Sequence, residues 1–415
     1  MTVWTPDYRV KVNGDEITDI TLVGFSITSG RTDTLTQAQA GYCSLRVLNT
    51  GNIAYSWSIN TAITIEVKDS TSTFVPIFGG RISDITYSVE SAGALGFVTA
   101  IDIYALGGIS RLQKSIWEGS LSKDLDGEQI FTILSSLYAE TWNSVPPAEQ
   151  WDDLNSTTRW FEAFNVLVGE IDDGEYEMIS RSASPINQYS YIADIANSSL
   201  GYIYENGYGQ VCYADARHRE NYLSANGYVE LDAREANWAG IKATTRQGDI
   251  INKMVINYKN NFGTTYSFTN TASETLYGTY GISVSSLIDD DPDAEAVTER
   301  TVNLRAYPRP KLESITYALQ NPELSNTDRD ALIKIFMGMP VSIDNLPPNI
   351  NSGRFEGFVE GFTFRSSLSG LSLTFFASDA SFSVFNRTWS EVDPTEEFDT
   401  LSAILTWEDA TGVIN

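Results

Sequence analysis

The chain carries a single histidine, His218, and only two cysteines, Cys43 and Cys212. That inventory restricts the available chemistry. A Cys/His zinc site needs its ligands clustered, and an H-E-x-x-H helix needs two histidines. Neither can be assembled here. A Ser-His-Asp triad would have to use His218, within Ala214–Asn221 (ADARHREN), and no G-x-S-x-G elbow accompanies it. We expect His218 to be a surface residue beside Arg217 and Arg219. Neither Gly-rich phosphate loop occurs, and Gly79-Gly80 reads as a bulge or a close approach within a strand. Asp289, Asp290, Asp291, Asp293 and Glu295 invite a calcium reading. Their spacing is not that of an EF-hand and the glycine of its sharp turn is missing, so a solvated acidic loop is expected. Glycoside hydrolysis needs only two carboxyl groups about 5–10 Å apart. With 54 Asp and Glu residues the chain has many, but no spacing singles out a pair. The expectation is a protein that is not an enzyme, with no catalytic, cofactor-binding or metal residue.

The residues that do recur with meaningful spacing are strand residues. Pro340–Ile343 reads as an apolar strand, Phe355–Phe364 as a long aromatic one, and Leu371–Ala377 as a third with Leu371, Leu373 and Phe375 on one face. The same grammar occurs near the other end, in Ala62–Val67, Phe78–Tyr87 and Phe97–Ala105. Gly80 aligns with Gly357, Ile82 with Val359, Ile85 with Phe362 and Tyr87 with Phe364. Any two β-meanders share some of this pattern; the alternative is an internal repeat, two copies of one small barrel.

A chain of 415 residues exceeds one core. The expected class is mainly β with an inserted α+β region: two related tube-like β-barrel domains plus one or two smaller α+β domains. The expected divisions are 1–113 (first barrel), 114–235 (inserted α+β region), 236–320 (β-rich, with the acidic linker), 321–385 (second barrel, with the option of earlier strands) and 386–415 (a C-terminal arm). Tyr8–Val12 followed by Asn13-Gly14 signals a hairpin. Asp126 is placed to cap a helix over Gly127–Trp142, whose stripe is Ile130, Phe131, Leu134, Leu137 and Tyr138. Thr158–Gly169 and Gln188–Leu200 read as further helices, and Phe262–Ser286 as β-hairpins. Ile288–Arg300 should open a helix, and Ser325 should cap another that ends at Gly338 and Pro340.

The net charge is −27, from 54 acidic and 27 basic residues. Such a surface repels nucleic acid and anionic membranes, so specific nucleic-acid binding is not expected; it would suit a passage through which DNA slides without sticking. No run of about 18 apolar residues marks a membrane span, and the opening MTVWTPDYRVKV lacks the basic-then-apolar order of a secretion signal. Two cysteines make no disulfide framework, and each lies in a strand-like run, so buried reduced thiols are expected.

Several short motifs resemble one family. Gly30-Arg31, a Thr/Gln-rich loop, Gln39-Ala40-Gly41 and an alternating strand ending in Leu48-Asn49 are similar to the opening of minor tail proteins of long-tailed bacteriophages. Phe78–Ile82, Ile195–Arg219, Ile251–Tyr258 and Leu346–Phe364 extend the resemblance over most of the chain. It implies a structural tail hub: a homotrimer whose two barrels per chain make a pseudo-sixfold ring in the virion tail tip, or baseplate. The implied partners are the distal tail protein or tail tube ring, the tape measure protein and a central fibre or spike. A distal tail protein or a glycan-binding receptor module is the alternative.

Overall fold

The computed structural model describes residues 4–32, 34–93, 96–141, 170–237, 240–259, 264–367 and 370–385. The helix expected over 158–169 and the C-terminal arm at 386–415 lie outside them. In the first part the strands are β1 (Tyr8–Val12), β2 (Asp15–Glu16), β3 (Thr21–Gly30), β4 (Tyr42–Asn49), β5 (Ala62–Lys68), β6 (Phe74–Gly93) and β7 (Gly96–Leu106). Then follow α1 (Ile109–Leu112), β8 (Ile116–Trp117), β9 (Asp124–Leu125), α2 (Asp126–Thr141), β10 (Glu177–Met178), β11 (Ile186–Asn187), α3 (Gln188–Ser198), β12 (Tyr202–Glu205), β13 (Val211–Ala214) and α4 (His218–Asn226). The remainder is β14 (Val229–Asp232), β15 (Lys242–Thr245), β16 (Lys253–Asn257), β17 (Thr265–Thr269), α5 (Thr271–Tyr277), β18 (Gly281–Ser285), α6 (Asp291–Arg305), β19 (Pro310–Ala318), α7 (Asn326–Ile333), β20 (Pro340–Asp344), β21 (Phe355–Ser367) and β22 (Gly370–Asp379).

Thirteen of these strands form one sheet, and it contains the same arrangement twice. In the first set the neighbours run β1-β5-β6-β7-β4-β3; in the second they run β14-β20-β21-β22-β19-β15. The sets differ at the outer strand, where β1 lies antiparallel to β5 but β14 runs parallel to β20. The strands that complete the second set come from 229–318, ahead of residue 321, and the acidic linker helix α6 lies between two of them. The chain is thus mainly β, with one large sheet and several helices. The first set curls: Tyr8 of β1 meets Phe25 of β3 edge-on at 5.2 Å. No ladder joins β1 to β3, so the hydrogen-bonded path stays open among the described residues. Barrel closure, part of the sequence expectation, is not seen.

The repeat extends to local detail. A β-bulge interrupts β6 between Ile82 and Asp84, and an equivalent one interrupts β21 between Val359 and Gly361. Two residues earlier stand Gly80 and Gly357. A Cβ on Gly80 would lie 2.4 Å from the Leu106 carbonyl oxygen and 2.8 Å from the Phe78 ring. A Cβ on Gly357 would lie 2.1 Å from the Ser378 oxygen and 2.7 Å from the Phe355 ring. In each copy the aromatic ring folds over the glycine two positions on, and the partner strand approaches too closely for any side chain.

One hydrophobic core serves both sets, with Phe355, Phe364, Phe375 and Tyr317 fully buried among its largest members. Each such side chain contributes about 1.5–3 kcal/mol. A second core gathers Ile130, Ile133 and Leu134 of α2, Ile192 and Ile195 of α3 and Ile203 of β12 from the inserted region with Met254 and Ile256 of β16 and Val297 of α6. Cys43 and Cys212 are buried free thiols, as expected. Asp126 heads α2, but its carboxylate accepts from the amides of Glu175 and Tyr176, at 2.8 and 2.9 Å. The sequence expectation that it caps its own helix is thereby corrected, because burial brings a loop within closer reach. The hairpins expected over 262–286 are instead β17 and β18 flanking β16, antiparallel and parallel, joined through α5. Asn270 starts that helix by accepting from the Ser273 amide at 3.0 Å. Among the described residues no helix is long and apolar enough to cross a membrane.

Replacing Gly80 or Gly357 by Ala should cost a similar 1–3 kcal/mol or so in each copy, the range for overpacking. Thermal unfolding of the two variants measures it, and a large cost at one position with none at the other would contradict the shared geometry.

Candidate functional site, a buried ionic junction

The bulge in β21 inserts one extra residue, Glu360, and a bulge re-aims its side chain away from the ladder. In the first set the corresponding residue is Ser83, whose hydroxyl only donates to the Tyr104 carbonyl, at 3.1 Å. In the second set the carboxylate of Glu360 turns into the protein and is 1% exposed. It accepts from Arg31 Nε at 2.7 Å, from Arg219 Nη1 and Nη2 at 2.7 and 3.0 Å, and from the Ser378 hydroxyl at 2.5 Å. Arg31 follows β3 of the first set, Arg219 lies in α4 of the inserted region, and Glu360 belongs to the second set. One carboxylate therefore ties together all three parts of the chain.

Two buried guanidiniums against one carboxylate leave a formal positive charge. The face of Tyr202 takes it up, with the Arg219 and Arg31 guanidinium carbons 4.6 and 5.2 Å from the ring centre. Burial alone would raise the Glu360 carboxyl, but the opposing charges of Arg219 and then Arg31 outweigh it and hold the group well below the usual carboxylate range. Gly30 makes the approach possible. It sits at φ +92°, where a Cβ would lie 2.3 Å from the Glu360 carbonyl oxygen.

The loop after β3 docks on the inserted region by the same means. Gln37 donates to Asn197 and to the Gly201 carbonyl at 2.8 and 3.1 Å, and accepts from the Ile203 amide at 3.0 Å. Glu205, at the end of β12, accepts from the amides of Gly41 and Ile109, at 2.8 and 2.6 Å. The Gly-Arg, the glutamine and the closing glycine of the 30–41 segment thus each hold one joint.

His218 is buried, at 7% exposure, which corrects the expected surface position. The first turn of α4 packs inward and carries His218 and Arg219 with it. His218 Nδ1 lies 2.5 Å from Asp172 Oδ2, which also accepts from the Asp215 amide at 3.0 Å. Glu170, Asp172 and His218 bring one donor atom each within 4.8 Å of one another. That is a donor set a divalent ion accepts, although Asp172 already serves two protein partners here. Asp215 is pushed up to about 7, first by burial and then by the nearby charge of Asp172. Asp289, Asp290 and Asp291 lie at and before the start of α6, and Asp289 and Asp291 pair with Lys123 and Lys259. Asp289 and Asp291 are thereby each held against a lysine.

In the sequence Arg31 stands out only within the Gly-Arg motif and Arg219 only beside His218, and none of Glu360, Gln37 or Glu205 stands out by itself. The signal was present in F-E-G-F-V-E-G-F: an acid inside an aromatic strand is a buried charge needing a partner.

No family model matches the chain, and no curated protein sequence matches it. Solved structures do match. A tail protein from Neisseria meningitidis superposes with a TM-score of 0.60 at 10% identity, over 92% of this chain and 98% of that one. The 43 kDa tail protein of prophage MuSo2 from Shewanella oneidensis gives 0.59 at 10% identity, over 91% and 99%. A prophage tail protein from Listeria monocytogenes gives 0.51 at 10% identity, over 90% and 95%.

Glu360→Gln should lower stability by about 3–5 kcal/mol, because it leaves two guanidiniums buried without their counter-ion. Glu356→Gln, in the same motif but paired with Arg354 near the surface, should cost under about 1 kcal/mol. Equal denaturation midpoints for the two variants would contradict this account. For Asp215 the raised pKa means stability is fully present below the ordinary carboxylate range, near 3.9, and is lost as pH rises through about 7. Asp215→Asn should flatten that part of the stability profile; an unchanged slope between about pH 4 and 7 would argue that Asp215 is not the group responsible.

Over nine-tenths of its length, the chain has the fold of prophage tail proteins.

Proposed function

We propose that the chain is a structural, non-enzymatic tail protein of a long-tailed bacteriophage. It would act as the hub: a homotrimer forming a pseudo-sixfold ring at the tail tip, between the tail tube or distal tail ring and a central fibre or spike. The observation that carries this reading is the duplication. Two sets of six strands share one neighbour order, one bulge position and one covered glycine. A chain bearing two equivalent units can mate a sixfold tube with a threefold tip, since three chains then offer six similar surfaces. A distal tail protein would need only one such unit per chain, so the second set favours the hub over that alternative. The net charge of −27 supports a lumen that repels DNA while it passes. On this reading the tape measure protein is a further neighbour in the tail.

Native mass spectrometry of concentrated protein should show a trimer, and images of assembled tails should show three copies around one axis. Six copies in the ring would favour the distal alternative, and a strict monomer in both settings would reject the ring.

A further inference from the structure

The two sets are joined within the chain by a strand pairing that has an unused twin. The outer edge of β3 pairs with the second half of β21: Ser26 faces Arg365, Ile27 faces Phe364, Thr28 faces Thr363, Ser29 faces Phe362 and Gly30 faces Gly361. The first half of β21 is occupied by β20, so the junction begins just past the bulge. In the first set the counterpart of that segment is 84–88 of β6. There β5 pairs only as far as Arg81, and among the described residues no strand lies along the edge from Asp84 onward. The counterpart of β3 is β15, which pairs with β19 on one side and with no described strand on the other. Among the described residues, one edge of each kind is used inside the chain and one of each is left over.

Exposure shows what is missing. Phe364, covered by β3, is 0% exposed, whereas its counterpart Tyr87 is 53% exposed and Val89 next along is 61% exposed. An inward-facing aromatic on an uncovered edge is a place that another strand should cover.

We propose that β15 of one chain pairs with residues 84–88 of β6 in a second copy of this chain, repeating the β3–β21 junction between subunits. Carrying over the register places Ala243 opposite Tyr87 and Thr244 opposite Thr86. The latter repeats the Thr28–Thr363 pair, whose hydroxyls lie 3.3 Å apart. It also places Arg246 opposite Asp84 and Lys242 opposite Ser88, two residues from Glu90. On a chain of net charge −27, a basic donor edge meeting an acidic acceptor edge is the complementary arrangement. The contact is head-to-tail, so it must either close into a ring or run on as a filament. Closure at three chains rests on the hub reading; the strand pairing itself does not.

The test is a double variant, Thr86→Cys with Thr244→Cys. Residues directly opposite on antiparallel strands have Cα atoms about 4.5–5.5 Å apart, within disulfide range. The native thiols, Cys43 and Cys212, are buried and do not compete. Concentrated protein under mild oxidation should give reductant-sensitive covalent species that stop at three chains, and neither single variant should do so. A ladder running past three chains would support the pairing while overturning the ring. A trimer by light scattering that does not cross-link would overturn the pairing and leave the hub reading standing. Protein that is monomeric in solution and remains unlinked in assembled tails would overturn both.

Discussion

A carboxylate can sit at the centre of this protein only because two guanidiniums reach it there. Removing an ion from water costs several kcal/mol even after relaxation, and the attraction of a partner repays that only with near-ideal geometry. Glu360 has that geometry, with charge-assisted contacts from Arg31 and Arg219 at 2.7–3.0 Å and a hydroxyl from Ser378. The consequence is positional. A shift of α4, a different path after Gly30, or loss of the bulge in β21 would strand a buried charge. The cluster therefore contributes more to fixing three parts of the chain against one another than to net stability.

That constraint matters because the fold is assembled from separate excursions. The shared sheet is left twice, once between β7 and β14 and once between β15 and β19, and material from both excursions builds the second core. Each excursion must return in register, since a slip of one residue would turn a strand's apolar face outward. Glu205 locks the first departure, by holding the amides of Gly41 and Ile109. Glu360 locks the place where the first excursion and both sets meet. The residue carried in the shared bulge sets the two copies apart: at the same position one aims Ser83 at a neighbouring carbonyl, and the other aims the Glu360 carboxylate at two buried arginines.

How much of this can be read from residues alone follows contact range. Local signals were legible. Asn13-Gly14 makes its turn with both residues at positive φ, Ser325 caps α7, and the alternation of Leu371, Leu373 and Phe375 marks β22. The three-strand repeat was legible because its strands are consecutive in the chain. The other three strands of the second set, β14, β15 and β19, were not recognised as its members, because long stretches of other structure separate them and β15 is only four residues long. The ionic junction was invisible for the same reason: Arg31, Arg219 and Glu360 lie far apart in sequence, and only the folded chain brings them together. His218 was misplaced by its neighbours, since flanking arginines suggest solvent when one of them, Arg219, is itself buried.

Charge supplies the last constraint on assembly. Copies of a chain carrying −27 repel one another, and at about 0.1 M salt the Debye length of roughly 10 Å lets that repulsion act across any interface. On the proposed pairing, association would be driven locally, by ladder hydrogen bonds and by covering Tyr87 and Val89, with the surface field working against it. Lys242 and Arg246 are held beside Glu313 on one exposed edge, and they give that edge a positive face on an otherwise acidic molecule. The same surface that keeps copies apart in arbitrary orientations leaves one edge able to approach an acidic partner. Repulsion of this kind sharpens the choice of interface, because it penalises every contact except the complementary one.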